Sequence, residues 1–192
     1  MRKEIGFLLA LVLILVILAS AVKVLEVNVE QADARRFVLE DAEDRFPGAD
    51  NEIIRIDEAY NEQNERYYHM KVRVTNFPAT GCPERMHVYY NYPEQNFEPE
   101  PIEFVTTECR VCTQEPCALV FPEEAIIASH TLDGGEPVRA FLEDFPTAYP
   151  NVEQSGDTWR VTWDSPVSTY YYVVGVSTDG SRVSATRIDK EL

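Results

Sequence analysis

The sequence predicts an α+β fold in which an N-terminal transmembrane helix precedes two modules, each with one helix packed on an antiparallel sheet. Three observations predict it. The chain opens with an uncharged apolar run, a helical pattern followed by strand-like stretches occurs twice, and four cysteines cluster near the middle. The predicted segments are a cytoplasmic tail at 1–4, the transmembrane helix at 5–22, a first module at 23–92, a Cys- and Pro-rich connection at 93–134 and a second module at 135–192.

The N-terminal run, residues 5–22, contains no charged side chain. A helix of that length rises about 27 Å, close to the roughly 30 Å hydrocarbon core of a bilayer. Arg2 and Lys3 precede the run, so the positive-inside bias predicts a cytoplasmic N-terminus and an extracytoplasmic position for the rest of the chain. The alternative is a signal peptide, since the Ala-Ser-Ala at 19–21 is typical of a cleavage site. Cleavage at Ala21 would give a secreted protein.

The first module opens with a helical pattern over residues 31–46. Its apolar side chains recur with the helical period and form one face, while Asp, Glu and Arg form the other. The apolar face consists of Ala34, Phe37, Val38, Ala42 and Phe46. Pro47 and Gly48 are typical of a helix end. Three strand-like stretches follow, at 52–60, 66–77 and 84–92. The second stretch alternates between polar and apolar residues, as a half-buried strand does.

The second module repeats this order. A helical pattern opens at Glu136 in the stretch 136–150, and Pro146 interrupts or closes it. Its apolar stripe consists of Val138, Phe141, Leu142 and Phe145. Three strand candidates follow, at 158–163, 169–177 and 181–188. Asp179 and Gly180 lie between the last two and indicate a tight hairpin turn. A helix followed by an antiparallel meander is therefore predicted twice.

The end of the second module resembles a known group of small domains. The residues that carry the resemblance are Tyr172, Val174, Val176, Asp179, Gly180 and Val183. Their spacing is similar to that of PepSY and cystatin-like modules, which implies one helix lying across an antiparallel sheet. The resemblance covers residues 136–189 and, more loosely, 31–92. The middle of the chain, with CPER, YYNYP and CRVC, is similar to uncharacterised archaeal single-pass membrane proteins and implies no known activity.

Four cysteines occur in the chain: Cys82, Cys109, Cys112 and Cys117. An even number of cysteines in an oxidising compartment predicts two disulfides, and four cysteines allow three pairings. Under each pairing Cys82 bonds to one member of the later cluster. One alternative is a zinc site formed by all four thiolates. The other is a redox dithiol at Cys109 and Cys112, which have the C-x-x-C spacing.

Composition and motifs narrow the class of function. The net charge of −16 disfavours nucleic acids and anionic lipid head groups as partners. The sequence has no glycine-rich phosphate loop, no nucleophile elbow and no HExxH motif. His69, His87 and His130 have no partner at a catalytic spacing along the chain. The sequence therefore predicts a protein that is not an enzyme and holds no cofactor.

Runs of tyrosine on the predicted strands are the candidate binding surface. Neighbouring residues of a strand point to opposite faces, so each run places rings on both faces of its sheet. Rings on the inner face fill the core, whereas rings on the outer face offer large, amphipathic area to a protein or peptide partner. Packing within the sheet is the alternative role. The candidates are Tyr68, Tyr90, Tyr92 and Tyr171.

These observations predict a membrane-anchored extracytoplasmic binding protein without enzymatic activity. Its partners would be the lipid bilayer, through residues 5–22, and a protein or peptide. One alternative is an extracytoplasmic thiol–disulfide or zinc-dependent protein that uses the cysteine cluster. A second alternative is a pilin-like surface subunit, although Leu11 stands where such a chain would carry a glutamate.

Overall fold

The computed structural model describes residues 13, 14, 17, 30–96 and 98–191. Helix α1 covers residues 30–45. The first antiparallel sheet follows, with β1 (Asp50–Tyr60), β2 (Arg66–Asn76), β3 (Glu84–Tyr92) and β4 (Glu103–Thr106). The next elements are helices α2 (Pro122–Thr131) and α3 (Glu136–Asp144). The second antiparallel sheet consists of β5 (Tyr149–Ser155), β6 (Thr158–Asp164), β7 (Tyr170–Ser177) and β8 (Val183–Asp189). In both sheets the strands are hydrogen-bonded in chain order.

The structure corrects the predicted fold class. The transmembrane helix predicted at 5–22 falls outside the described residues except for 13, 14 and 17, and no helix in the described part of the chain is long and apolar enough to cross a membrane. The single helix expected on each sheet is also wrong, because both α2 and α3 pack on the second sheet. The described chain is a strand-rich pair of four-stranded sheets with three short helices.

Strand β5 was not predicted, and it begins at Tyr149, three residues after the proline at which the predicted helix is interrupted or closed. Helix α3 ends at Asp144 because Phe145 precedes Pro146, and a residue before proline is driven away from the helical conformation. The chain then becomes extended and pairs with β6. As the edge strand of its sheet, β5 tolerates Pro150, whose nitrogen has no hydrogen to donate. Strand β4 was missed as well, since four residues are too few to display a period.

The core of the first sheet lies between that sheet and α1. Alternate residues of β2 and β3 face the helix, because side chains of a strand alternate between its two faces. The buried residues are Ala34, Val38 and Ala42 of the helix, Tyr68, Met70, Val72 and Val74 of β2, and Met86 and Val88 of β3. The intervening residues give the opposite face a polar character: His69, Lys71, Arg73, Arg85, His87 and Tyr89.

The core of the second sheet contains both tryptophans. It also includes Ala125 and Ala128 of α2, Val138 and Phe141 of α3, and Val161, Val174 and Val176 of the sheet. Each buried indole N–H donates a hydrogen bond: Trp159 to the Leu119 carbonyl at 2.9 Å and Trp163 to the Ser129 hydroxyl at 2.9 Å. Both large rings are therefore buried without leaving a polar group unpaired.

The prediction of two disulfides is confirmed, and the structure supplies their pairing. Cys82 bonds to Cys109, and Cys112 bonds to Cys117. The first bond joins residues 27 positions apart and the second joins residues 5 apart. Chain-entropy arguments then give stabilisations of about 3.5 and about 2 kcal/mol, respectively. The longer disulfide ties the turn before β3 to the turn after β4.

Candidate functional site

The four tyrosines predicted as a binding surface occupy two separate locations. Tyr68 and Tyr92 pair across β2 and β3, on the face of the first sheet that α1 covers, and Tyr90 lies beside them. Tyr68 is only 5% exposed and belongs to the core, whereas Tyr90 and Tyr92 are half-buried at its margin. Tyr171 lies on β7 of the second sheet. The structure therefore unites three of the four tyrosines and leaves two of them accessible together.

Tyr90 and Tyr92 line a cleft of about 440 Å³ between α1 and the segment that follows β3. We refer to it as the tyrosine cleft. Its lining comprises Phe37, Asp41 and Arg45 of α1, residues 89–92 of β3, and Pro93, Glu94, Gln95, Pro99 and Glu100 of the following segment. The ring of Phe37 lies 5.3 Å from that of Tyr92, centroid to centroid, and Phe37 is 51% exposed. The cleft thus combines an open aromatic wall with a polar rim.

One side of the tyrosine cleft is an edge of β3 that is left uncovered by the other strands of the described residues. The ladder between β3 and β4 involves only Arg85, Met86 and His87, while β3 continues to Tyr92. In the part of the chain that the structure describes, the backbone of residues 89–92 pairs with β2 alone. A free strand edge is a template to which an extended segment can add through backbone hydrogen bonds.

Three polar side chains in the lining of the tyrosine cleft contact one another. Arg45 Nη1 lies 3.6 Å from Asp41 Oδ2 and donates to the Tyr90 hydroxyl at 3.4 Å. Burial raises the pKa of Tyr90 to about 12, and a hydrogen bond from its hydroxyl to Asp41 contributes in the same direction. The phenol is therefore a neutral donor at physiological pH, and Asp41 compensates the charge of Arg45.

The rim of the tyrosine cleft is negatively charged. Glu94 and Glu100 are exposed there, and Arg45, the cation in the lining, is already paired with Asp41. Glu100 Oε1 lies 3.5 Å from Nε2 of His69, which compensates its charge only when the imidazole is protonated. An aromatic wall with carboxylates at its rim suits a cationic group, because the ring faces and the carboxylates both attract positive charge.

The segment that forms the outer wall of the cleft is anchored at its far end by Glu103. Oε2 of this carboxylate accepts from Lys71 Nζ at 2.9 Å, lies 3.0 Å from His87 Nδ1 and accepts from the Tyr89 hydroxyl at 3.0 Å. These three partners, Lys71 first, lower the pKa of Glu103 to about 2. The start of β4 is thereby held against β2 and β3. This contact fixes the far end of the segment that forms the outer wall of the cleft.

His87 is buried within this network. Its Nε2 accepts a hydrogen bond from Arg85 Nε at 3.3 Å, so Nδ1 carries the proton and donates to Glu103. The residue is 3% exposed, and burial lowers its pKa. Both ring nitrogens therefore have partners within the network. His69, the neighbour on β2, contacts Asn91 Oδ1 through Nδ1 at 3.0 Å and stacks on Tyr89.

His130 has a partner that its position in the sequence did not reveal. Its Nε2 lies 3.7 Å from Sγ of Cys109, beside the Cys82–Cys109 disulfide. His130 and Cys109 are 21 positions apart and belong to different elements. No spacing rule along the chain would have joined them.

Sequence analysis also missed the contribution of α1 to the tyrosine cleft. Phe37 was assigned to the apolar face of the helix, and Asp41 and Arg45 were assigned to its polar side. The three residues follow one another at intervals of four, which places them in a row along the helix. That spacing is the signal that could have identified them, since the row lies at the border of the buried face.

Comparison of the chain with known protein families, with curated proteins and with solved structures found no match. The resemblance to PepSY and cystatin-like modules therefore stays a prediction.

Proposed function

We propose that the chain is a non-enzymatic extracytoplasmic binding protein whose tyrosine cleft takes an extended, positively charged segment of a partner protein. The segment would add to the free edge of β3 as a further strand. Its basic side chains would lie against Tyr92 and Phe37 and reach towards Glu94 and Glu100. The extracytoplasmic position is supported by the two disulfides, which persist in oxidising compartments.

The observation that carries this proposal is the unequal length of the two neighbouring strands. Strand β4 stops pairing at His87, whereas β3 runs on to Tyr92 and exposes its edge inside an aromatic cleft. Backbone hydrogen bonds at such an edge supply affinity, and pockets for alternate side chains supply specificity. In the tyrosine cleft, the unpaired backbone edge of β3 lies beside the aromatic rings that would receive the side chains of the bound segment.

The negative charge of the chain and of the cleft rim determines which kind of partner segment would bind. The chain carries a net charge of −16, and the rim of the cleft adds Glu94 and Glu100 close to the bound segment. An acidic peptide would be repelled by both, whereas arginine or lysine would gain from the carboxylates and from the ring faces. The same charge disfavours nucleic acid as the ligand.

A peptide array tests the proposal directly. Octapeptides of varied sequence are probed with the purified chain, and the retained peptides are classed by net charge. We expect enrichment of peptides that contain arginine or lysine, and weaker retention as salt is raised. Retention of acidic peptides in preference to basic ones, or of no peptide, would overturn the proposal.

Matched tyrosine variants locate the binding surface. Tyr92→Ala removes a ring that lines the cleft, whereas Tyr171→Ala removes a half-exposed ring from the second sheet. For the best basic peptide we expect Tyr92→Ala to weaken binding at least 10-fold and Tyr171→Ala to leave it unchanged. Equal effects of the two variants would place the peptide elsewhere and contradict the assignment.

A further inference from the structure

We propose that reduction of the Cys82–Cys109 disulfide creates a metal site in which Cys82, Cys109 and His130 bind Zn²⁺. The ligand atoms, two Sγ and one imidazole nitrogen, lie within 4.8 Å of one another in the oxidised protein. They come from the turn before β3, the turn after β4 and the last turn of α2. The site thus differs from the four-cysteine site considered from the sequence.

His130 is already oriented as a ligand. Its Nδ1 lies 3.0 Å from the Ile126 carbonyl, which can only accept, so Nδ1 carries the proton. The lone pair of Nε2 is consequently available on the side of Cys109 Sγ, 3.7 Å away. A ligating histidine in known metal sites typically donates its other ring N–H to a carbonyl or carboxylate in the same way.

The surroundings hold the imidazole in place. His130 is 7% exposed, and its ring lies nearly perpendicular to that of Trp163, with 5.7 Å between centroids. The neighbouring Gly81 lacks a side chain, and a Cβ there would lie 3.6 Å from the His130 ring. Cys82, in contrast, is exposed, so a reductant can reach the disulfide.

The opening step is a thiol–disulfide exchange with an external dithiol. A thiolate of the dithiol attacks Cys82 Sγ, the bond to Cys109 breaks, and Cys109 leaves as a thiolate. The second thiol of the reductant then displaces Cys82 and closes its own disulfide. Two electrons and two protons pass to the cysteine pair, and the dithiol is oxidised. Binding of Zn²⁺ afterwards releases the protons from both thiols.

The ligand set fits zinc. Two thiolates and one imidazole are borderline-soft donors, and zinc sites with three protein ligands keep a fourth position open for water or another molecule. The oxidised pair offers no thiolate and therefore no site. In the described part of the chain the Cys112–Cys117 disulfide has no third donor within the same reach, so the two disulfides are expected to behave differently.

Alkylation of the wild-type protein tests the proposal. The chain is reduced with a dithiol, freed of reductant without oxygen, incubated with or without Zn²⁺, and treated with an alkylating reagent before mass mapping of each cysteine. We expect one Zn²⁺ per chain, with Cys82 and Cys109 protected and Cys112 and Cys117 modified. Protection of all four cysteines, or of none, would overturn the three-ligand site.

A histidine variant separates a folded site from metal capture by loose thiols. His130→Gln should weaken Zn²⁺ binding at least 10-fold, as expected when a ligand is lost from a formed site. His69→Gln removes another histidine, half-buried on β2, and should leave the affinity unchanged. Co²⁺ supplies a second readout, because thiolates bound to it give a charge-transfer band. This band should disappear when Cys82 and Cys109 are both replaced by serine. Equal affinity of the His130→Gln variant and the wild type would refute the assignment.

Discussion

Arg85 Nη1 of β3 lies 3.1 Å from Glu123 Oε2 of α2, and both side chains are almost completely buried. The Thr75 hydroxyl donates to the other oxygen of Glu123 at 3.0 Å, and the Phe121 ring lies 3.7 Å below the Arg85 guanidinium. This ion pair connects the polar face of the first sheet with the helix that covers the second. The two sheets are therefore joined by charge as well as by the chain.

Removal of the negative charge of Glu123 should destabilise the protein strongly. Glu123→Gln leaves the Arg85 guanidinium buried without its counter-ion, a change that typically costs about 3–5 kcal/mol. Denaturant unfolding measures the loss. The Arg110–Glu108 pair is the control, since both its side chains are more than 70% exposed. Arg110→Ala should change the free energy of unfolding by less than about 1 kcal/mol. Similar losses for both variants would contradict the assignment.

Glu103 should make stability depend on pH in the acidic range. Its folded-state pKa of about 2 lies below the ordinary value of 4.5, so the ionised form is favoured by folding. The stabilisation is complete above about pH 4.5 and is lost as the pH falls towards 2. The free energy of unfolding of the wild type, relative to Glu103→Gln, should therefore shrink over that range. A difference that stays constant with pH would contradict the prediction.

Tyr90 should ionise unusually late in the alkaline range. Its pKa is raised to about 12 from an ordinary value of 10, so folding favours the protonated phenol. This stabilisation is present below about pH 10 and is lost as the pH rises through 12. Ultraviolet titration should show an ionisation step near pH 12 that is missing from Tyr90→Phe. Tyr171→Phe is the control and should keep this late ionisation. Loss of the late ionisation in Tyr171→Phe would contradict its assignment to Tyr90.

Gly134 should tolerate no side chain. Its φ is +94°, and a Cβ would lie 2.4 Å from the Val183 carbonyl oxygen, a backbone atom that cannot move aside. Gly156 also has a positive φ, +57°, but has open space around it. Gly156→Ala should cost about 1 kcal/mol for the left-handed conformation alone. Gly134→Ala should cost more, and thermal unfolding of the two variants compares them. Equal losses of stability in the two variants would contradict the predicted clash between a Cβ at position 134 and the Val183 carbonyl oxygen.

Much of the local structure follows from patterns along the chain. The stretch predicted at 84–92 matches β3, and the stretch predicted at 66–77 differs from β2 by one residue. The period of two in these segments reflects one buried and one exposed face, which a short window of sequence records. The edge strand β5, Tyr149–Ser155, was not predicted, because its mostly polar sequence YPNVEQS does not display this period.

Only part of the candidate site could be predicted from the sequence. Tyr90 and Tyr92 were identified because aromatic residues stand out, but Tyr68 was included although it is buried in the core. Phe37 was recognised as apolar and not as part of a cleft. Whether a strand residue is accessible depends on what covers it, and the cover here is α1, a separate element much earlier in the chain.

By itself the sequence determined the elements whose apolar residues repeat with a clear period, the presence of disulfides and the acidic charge. These properties depend on neighbouring residues or on composition. Only the tertiary structure decided that Cys82 pairs with Cys109, that His130 lies beside them and that β4 stops short of the end of β3. Such contacts join segments far apart in the chain, and their free energy depends on all the surfaces that pack around them.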